Sequence, residues 1–141
     1  MFSAGEMEVL DRLKDGRILI EVKMEGRYQL GDQIQALPFS IYRCQPYTDL
    51  GHELDRDADI LRVRVMSRLQ QLAYRRNDLA DLFNSPEWCR KSDLAFSFAV
   101  FSLLNLSADQ AQIYLEMTSM GERLKAVLQL LNQMLKCRMK V

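Results

Sequence analysis

The amino-acid sequence predicts an α+β fold, in which an N-terminal antiparallel β-meander, forming a partial barrel-like subdomain, precedes a C-terminal helical bundle. Apolar and polar residues alternate through much of the first third of the chain, which is typical of half-buried strands. After Pro46 the apolar residues recur at three- and four-residue steps, which is typical of helices. No Pro-, Gly- or Ser-rich linker separates these regions. We therefore expect one overall domain with a β subdomain at 1–50 and an α-helical subdomain at 51–141.

The first hairpin is predicted from two apolar stretches on either side of Asp15-Gly16. Gly16 supplies the positive φ that such a turn needs at little steric cost. In the stretch after the turn, apolar residues alternate with Arg17, Leu19, Glu21 and Lys23, so one face of that strand should be apolar and half-buried. The apolar residues are Met7, Val9 and Leu13 before the turn and Ile18, Ile20, Val22 and Met24 after it.

Two further features complete the predicted meander. Glu25-Gly26 predicts a second turn that leads into Arg27–Leu30. A last strand is expected over Leu37–Gln45. Because proline cannot donate a hydrogen bond to a ladder, Pro38 and Pro46 indicate that this strand starts and stops near them or lies at an edge.

The helices are predicted from apolar spacing and from start signals. A long helix is expected over Leu54–Arg76, with acidic residues in its first turn and Arg75 and Arg76 near its end, which complements the helix dipole. A very apolar helix over Leu94–Leu104 should be buried on most sides. Later helix starts are indicated by Ser85-Pro86, by Ser92 or Asp93, and by the capping boxes Ser107–Gln110 and Ser119–Glu122.

Composition excludes several classes of protein. Lys+Arg and Asp+Glu are both 19, so a formal net charge of zero gives no long-range attraction to nucleic acid or to an anionic membrane. The N-terminus has no signal-peptide pattern, and no apolar run reaches the length of a membrane span. Cys44, Cys89 and Cys137 have no metal-binding or disulfide spacing. We expect a cytoplasmic protein with no nucleic-acid or membrane partner.

The sequence shows no arrangement typical of a catalytic or metal site. The glycines do not form a phosphate-binding loop, and Asp55–Asp59 lacks the later Gly and Glu of a calcium loop. A hydrolase would need His52 beside Cys44 or Cys89, and nothing in the sequence sets that geometry. We therefore expect no enzyme, no catalytic residue, no cofactor and no metal. A solvated helix face is the preferred interpretation of the basic residues Arg62, Arg64, Arg68, Arg75 and Arg76.

Two stretches together resemble the LON domain, the non-catalytic substrate-binding domain at the front of Lon proteases. The stretch Leu13–Leu30 is similar to the family's D-G-R hairpin, apolar strand and G-x-R-[FY]-x-[IL] segment, although Gly26-Arg27-Tyr28 is contiguous here. The second stretch follows the family's order of an apolar helix, a capped short helix ending in L-E, and an E-R-L helix. It comprises Asp93–Leu106, Ser107–Gln110, Tyr114-Leu115-Glu116 and Glu122-Arg123-Leu124.

The chain also departs from that family. LON domains usually begin with extra strands that carry a P-L-F-P-L-type run and an F-E-x-R-Y-type segment, and neither is present. The ATPase and Ser-Lys protease domains of full Lon proteins are also absent, so the resemblance implies a stand-alone LON domain. Without the extra strands, a sheet edge should be exposed. The chain could be a truncation, pair with another copy, or have an altered β subdomain.

The function implied by this resemblance is non-catalytic binding of unfolded or partner polypeptide. Aromatic and apolar side chains near an exposed sheet edge are expected to make the contacts, although a place in the core is slightly favoured for Phe39 and Ile41. The alternative is a homodimer or other homo-oligomer that pairs through an exposed β edge or through the final helix. The expected peptide-binding residues are Phe39, Ile41, Tyr42 and Tyr47.

Overall fold

The computed structural model describes residues 1–51, 53–73, 81–83 and 85–138. It confirms the α+β class, because a three-stranded antiparallel sheet precedes a series of helices. By contacts the chain divides into two compact units, residues 1–48 and 49–141.

The first unit is the sheet, with strand order β1-β2-β3. Its strands are β1 (Phe2–Arg12), β2 (Ile18–Gln35) and β3 (Ile41–Pro46). The predicted turn between β1 and β2 is confirmed, and Gly16 has a φ of 87° there. The Arg17 side chain donates a 2.8 Å hydrogen bond to the Asp15 carboxylate, and this bond lowers the pKa of Asp15.

The predicted turn at Glu25-Gly26 is wrong, because β2 runs through these residues without a break. The pairing continues past a bulge, with Gly5 opposite Met24 and Ala4 opposite Gly26. A Cβ on Gly5 would lie 1.7 Å from the carbonyl oxygen of Lys23, so only glycine fits this close approach. A bulge therefore accommodates the residues that the sequence suggested would form a turn.

The last strand is shorter than predicted. It starts at Ile41 instead of Leu37, and the peptide bond between Leu37 and Pro38 is cis. Pro46 is its final residue, as its missing N–H group would require at the end of a ladder. β3 is an edge strand, in agreement with one of the two interpretations of the flanking prolines.

The second unit contains the hydrophobic core. Its helical elements are a 3-10 helix (Glu53–Asp57), α1 (Ala58–Ala73), α2 (Pro86–Cys89), α3 (Asp93–Ala99), a 3-10 helix (Val100–Leu103), α4 (Ala108–Glu116) and α5 (Met120–Arg138). The buried apolar residues come mainly from α1 and α5. They are Ala58, Leu61, Val65, Leu69, Ala73, Phe83, Trp88, Phe96, Val100, Leu124, Val127 and Leu131.

Side-chain caps set the helix starts as the sequence predicts. The hydroxyl groups of Ser85, Ser92 and Ser107 each accept a hydrogen bond from a main-chain N–H three residues later. The Ser107 capping box is complete, since the Gln110 side chain accepts from the Ser107 N–H. Ser119 likewise accepts from the N–H of Glu122 at the start of α5.

Two helix predictions need correction. The long helix begins with a 3-10 segment before α1, and its predicted end at Arg75 and Arg76 lies outside the described residues. The apolar helix after Ser92 changes to 3-10 geometry at Val100, and Leu94 on its first turn is 47% exposed. The exposed residues Leu94, Ala95 and Ser102 lie on one side, and the other sides are buried or partly buried, as the sequence predicts.

Candidate functional site

The four expected peptide-binding residues lie around β3 but do not share one surface. Phe39 precedes the strand and is 65% exposed, whereas Ile41 and Tyr42 begin it and are 38% and 39% exposed. Consecutive strand residues point to opposite faces, so Ile41 and Tyr42 cannot act on the same ligand face. Tyr47 follows the strand and is half-buried, with the Arg27 guanidinium 5.2 Å from its ring centre. Neither Phe39 nor Ile41 is a core residue.

A larger apolar surface lies on the hairpin of β1 and β2. Met7 pairs with Val22, and Val9 pairs with Ile20, so these four side chains lie on one face of the sheet. Met24, two residues from Val22, extends this face. We call the five residues the hairpin face. The exposed fractions of their side chains are 62% for Met7, 42% for Val9, 47% for Ile20, 40% for Val22 and 61% for Met24.

The hairpin face was predicted as an apolar strand face but not as a site. The alternation of apolar and polar residues along β1 and β2 identified its residues, and it also suggested that those of β2 would be half-buried. In the structure none of residues 1–48 is buried, so the sheet unit has no core of its own. An exposed apolar patch of several side chains is typical of an interaction surface.

The opposite face of the same hairpin is charged. Glu6 lies opposite Lys23, and Glu8 lies opposite Glu21. All four residues are exposed. Directly opposed like charges destabilise a sheet, whereas opposed unlike charges stabilise it. Three carboxylates and one ammonium leave this part of the sheet with an excess of negative charge.

β1 presents a free strand edge beside both faces. It pairs with β2 on one side and is the outer strand of the sheet. Every second residue of an outer strand points its main-chain N–H and C=O groups away from the sheet, where another strand can bind them. Register shifts occur at Ala4/Gly5 and at Val9/Asp11, so the regular part of this edge is Gly5–Val9.

In the helical unit the most connected buried polar group is Arg123 on α5. Its side chain is fully buried and forms an ion pair with Asp49. It donates further hydrogen bonds to the Ser97 hydroxyl at 3.1 Å and to the Met117 carbonyl oxygen at 2.8 Å. The Phe98 ring centre lies 4.0 Å from the guanidinium carbon. The groups of this cluster bond to one another, so we interpret the cluster as one that stabilises the helical unit.

Two other charged groups also have structural partners. Asp55, the first residue of the rejected calcium motif, accepts hydrogen bonds from the Ser119 hydroxyl at 3.0 Å and from the Gly121 N–H at 2.6 Å. Arg62 is not simply solvated, because it forms a 2.6 Å ion pair with Asp93 and covers the Phe96 ring. Sequence patterns could not reveal these partners, which are distant in the chain.

The chemical groups considered for catalysis are three thiols and one imidazole. Cys44, Cys89 and Cys137 are exposed free thiols, and His52 lies outside the described residues. Within the described ranges, no group of three His, Cys, Asp or Glu side chains is placed to hold a metal ion. In that same part of the chain, no helix is both long and apolar enough to cross a membrane.

Comparison with known proteins adds no relative. No protein-family model matches the chain, and a search of the curated proteins finds no significant match. The resemblance to the LON domain therefore stays a prediction that depends on the motifs in this sequence.

Proposed function

We propose that this chain is a non-catalytic protein-binding module of the cytoplasm that binds unfolded or partner polypeptide, as the substrate-recognition domain of Lon proteases does. The observation that supports this proposal most directly is the hairpin face, an apolar surface on a sheet unit that buries none of its residues. Covering apolar surface is worth about 25 cal/mol per Å². A bound polypeptide would supply that cover.

The geometry of the sheet suits an extended ligand. An outer strand binds a peptide through main-chain hydrogen bonds, and the alternate side chains of the peptide then lie against one face of the sheet. The outer strands here are β1 and β3. β3 carries Ile41 and Tyr42, and β1 carries Met7 and Val9 of the hairpin face. Either edge therefore combines a free strand with apolar side chains.

Binding of reduced and alkylated lysozyme, a chemically unfolded protein, tests the proposal. Fluorescence polarisation of the labelled unfolded protein should rise on addition of the chain, and native lysozyme should give no rise. Failure to bind the unfolded protein at any accessible concentration would contradict the proposal. The Tyr42→Ala/Tyr47→Ala variant tests the predicted residues, because affinity should fall while the melting temperature changes little.

Self-assembly is the second candidate function. The same hairpin face could be covered by the face of another copy, and a face of this kind is characteristic of isologous dimers. Light scattering coupled to size-exclusion chromatography at several concentrations separates the two functions. A monomer that binds unfolded lysozyme supports the first function, and a dimer that does not bind it supports the second.

A further inference from the structure

We infer that the β1 edge takes an extended peptide in which basic and apolar residues alternate, and that it disfavours pairing with β1 of a second copy. This inference rests on the proposed function and specifies the chemistry of the polypeptide that is bound.

Apolar and acidic residues alternate along the regular part of the β1 edge. Met7 and Val9 lie on the hairpin face, whereas Glu6 and Glu8 lie on the charged face. A strand added beside β1 would place each of its residues opposite one residue of β1, on the same face. The added strand should therefore carry apolar residues opposite Met7 and Val9 and different residues opposite the two glutamates.

The two glutamates of β1 determine which charge is favoured in the residues opposite them on an added strand. Opposite-charge cross-strand pairs stabilise a sheet, and like-charge pairs destabilise it. Glu6 has Lys23 directly across the ladder, whereas Glu8 has Glu21, so two carboxylates oppose each other at Glu8. A lysine or arginine of the added strand would lie directly opposite Glu8, with Glu21 one strand further away. The sheet itself therefore favours a basic residue at this point.

Pairing of β1 with β1 of a second copy is unfavourable because of its glutamates. Two copies of the Gly5–Val9 stretch, paired antiparallel with their apolar sides on the same face, can be centred on Glu6, Met7 or Glu8. These arrangements place Glu6 against Glu6, Glu6 against Glu8, or Glu8 against Glu8. Each one opposes two carboxylates at cross-strand distance, which is unfavourable. The charges that favour a basic peptide therefore oppose self-pairing at this edge.

Two labelled peptides test the inference on the full chain. One is an eight-residue alternation of lysine and valine, and the other replaces each lysine by glutamate. We expect the lysine peptide to bind more tightly, and raised salt to reduce the difference. N-methylation of every second amide should prevent binding when the methyl groups face β1. The same number of methyl groups on the alternate amides should be tolerated.

Substitutions at Glu8 identify the position of the charge. Glu8→Gln should weaken binding of the lysine peptide about two- to fivefold, the range expected for one cross-strand charge pair. Glu8→Lys should favour the glutamate peptide instead. Neither change weakens the sheet, because each one removes the repulsion from Glu21. Asp32→Asn is the matched control, since it removes one exposed carboxylate from β2 in the segment beside β3. It should leave the affinity unchanged.

The outcomes separate this inference from the proposed function. Equal binding of both peptides, or an equal effect of Asp32→Asn and Glu8→Gln, would overturn the inference. Binding of unfolded lysozyme without binding of the lysine peptide would overturn it too, and would leave the proposed function standing. If neither ligand binds, both proposals fail. A wild-type dimer in which the outward-facing amides of Gly5–Val9 are protected from hydrogen exchange would also overturn the inference, because β1 would then pair with its copy.

Discussion

The sheet unit and the helical unit differ in how far their apolar residues are buried. In residues 1–48 no side chain is buried, although β2 carries a regular apolar face. In the helical unit Phe96, Val100, Leu124 and Leu131 are fully buried. Three strands need a covered apolar face or a packed helix to be stable alone. The difference indicates that apolar burial stabilises mainly the helical unit, whereas the apolar face of the sheet stays exposed in this structure.

The largest difference is expected between a core residue and a hairpin-face residue. Phe96→Ala should reduce the free energy of unfolding by about 3–5 kcal/mol, because it leaves a cavity in a fully buried site. Val22→Ala should cost under about 0.5 kcal/mol, since its side chain is already partly in water. Urea unfolding followed by circular dichroism measures both. Similar losses for the two variants would mean that the hairpin face is covered in the free chain.

Arg123 provides the next test, because its charge is buried in an ion pair with Asp49. Arg123→Met should reduce stability by about 3–5 kcal/mol, the range for leaving one member of a buried ion pair without its partner. Adding Asp49→Asn should recover part of that loss. Arg64→Met on the exposed side of α1 is the matched control and should be near neutral.

An equal loss for Arg64→Met and Arg123→Met would show that the ion pair with Asp49 contributes nothing specific. Failure of Asp49→Asn to recover any stability would point instead to the hydrogen bonds with Ser97 and Met117. Either result would reduce the contrast between a helical unit with a defined polar centre and a sheet unit without one.

Much of the fold could be predicted because its signals are local. The turn at Gly16, the caps at Ser85, Ser92 and Ser107, and the apolar spacing of α1 depend on neighbouring residues, and the structure agrees with each. The course of β2 through Gly26 depends instead on pairing with Ala4, which a one-dimensional pattern does not contain. Pairing between β1 and β2 therefore outweighs the local preference of Glu25-Gly26 for a turn.

The polar centre could not be predicted for the same reason. Arg123 and Asp49 are 74 residues apart, and each looks like an ordinary surface residue in its own segment. The alternation of β2 did identify the hairpin face, but its exposure depends on what the rest of the chain leaves uncovered. Sequence pattern thus locates apolar surfaces more reliably than it tells whether they are buried.

A substitution at Gly5 tests the sheet unit by itself. Gly5→Ala would put a Cβ against the carbonyl oxygen of Lys23, so the bulge must open, at a cost of about 1–3 kcal/mol. Amide hydrogen exchange should become faster along β1 and should stay unchanged in α5. Ser3→Ala, which adds no atom, is the control. Faster exchange in both units would show that they unfold as one, and would weaken the contrast drawn between them.

The smallest difference between a variant and its control is expected at Asp55, which helps to fix the start of the last helix in the helical unit. Its carboxylate accepts hydrogen bonds from Ser119 and Gly121 at the N-terminus of α5, where a negative charge is also favoured by the helix dipole. Asp55→Ala should therefore cost about 0.5–2 kcal/mol in urea unfolding. Asp57→Ala removes an exposed carboxylate from the same 3-10 helix and should cost less. Equal costs would assign the effect to general charge near the helix and not to these two hydrogen bonds.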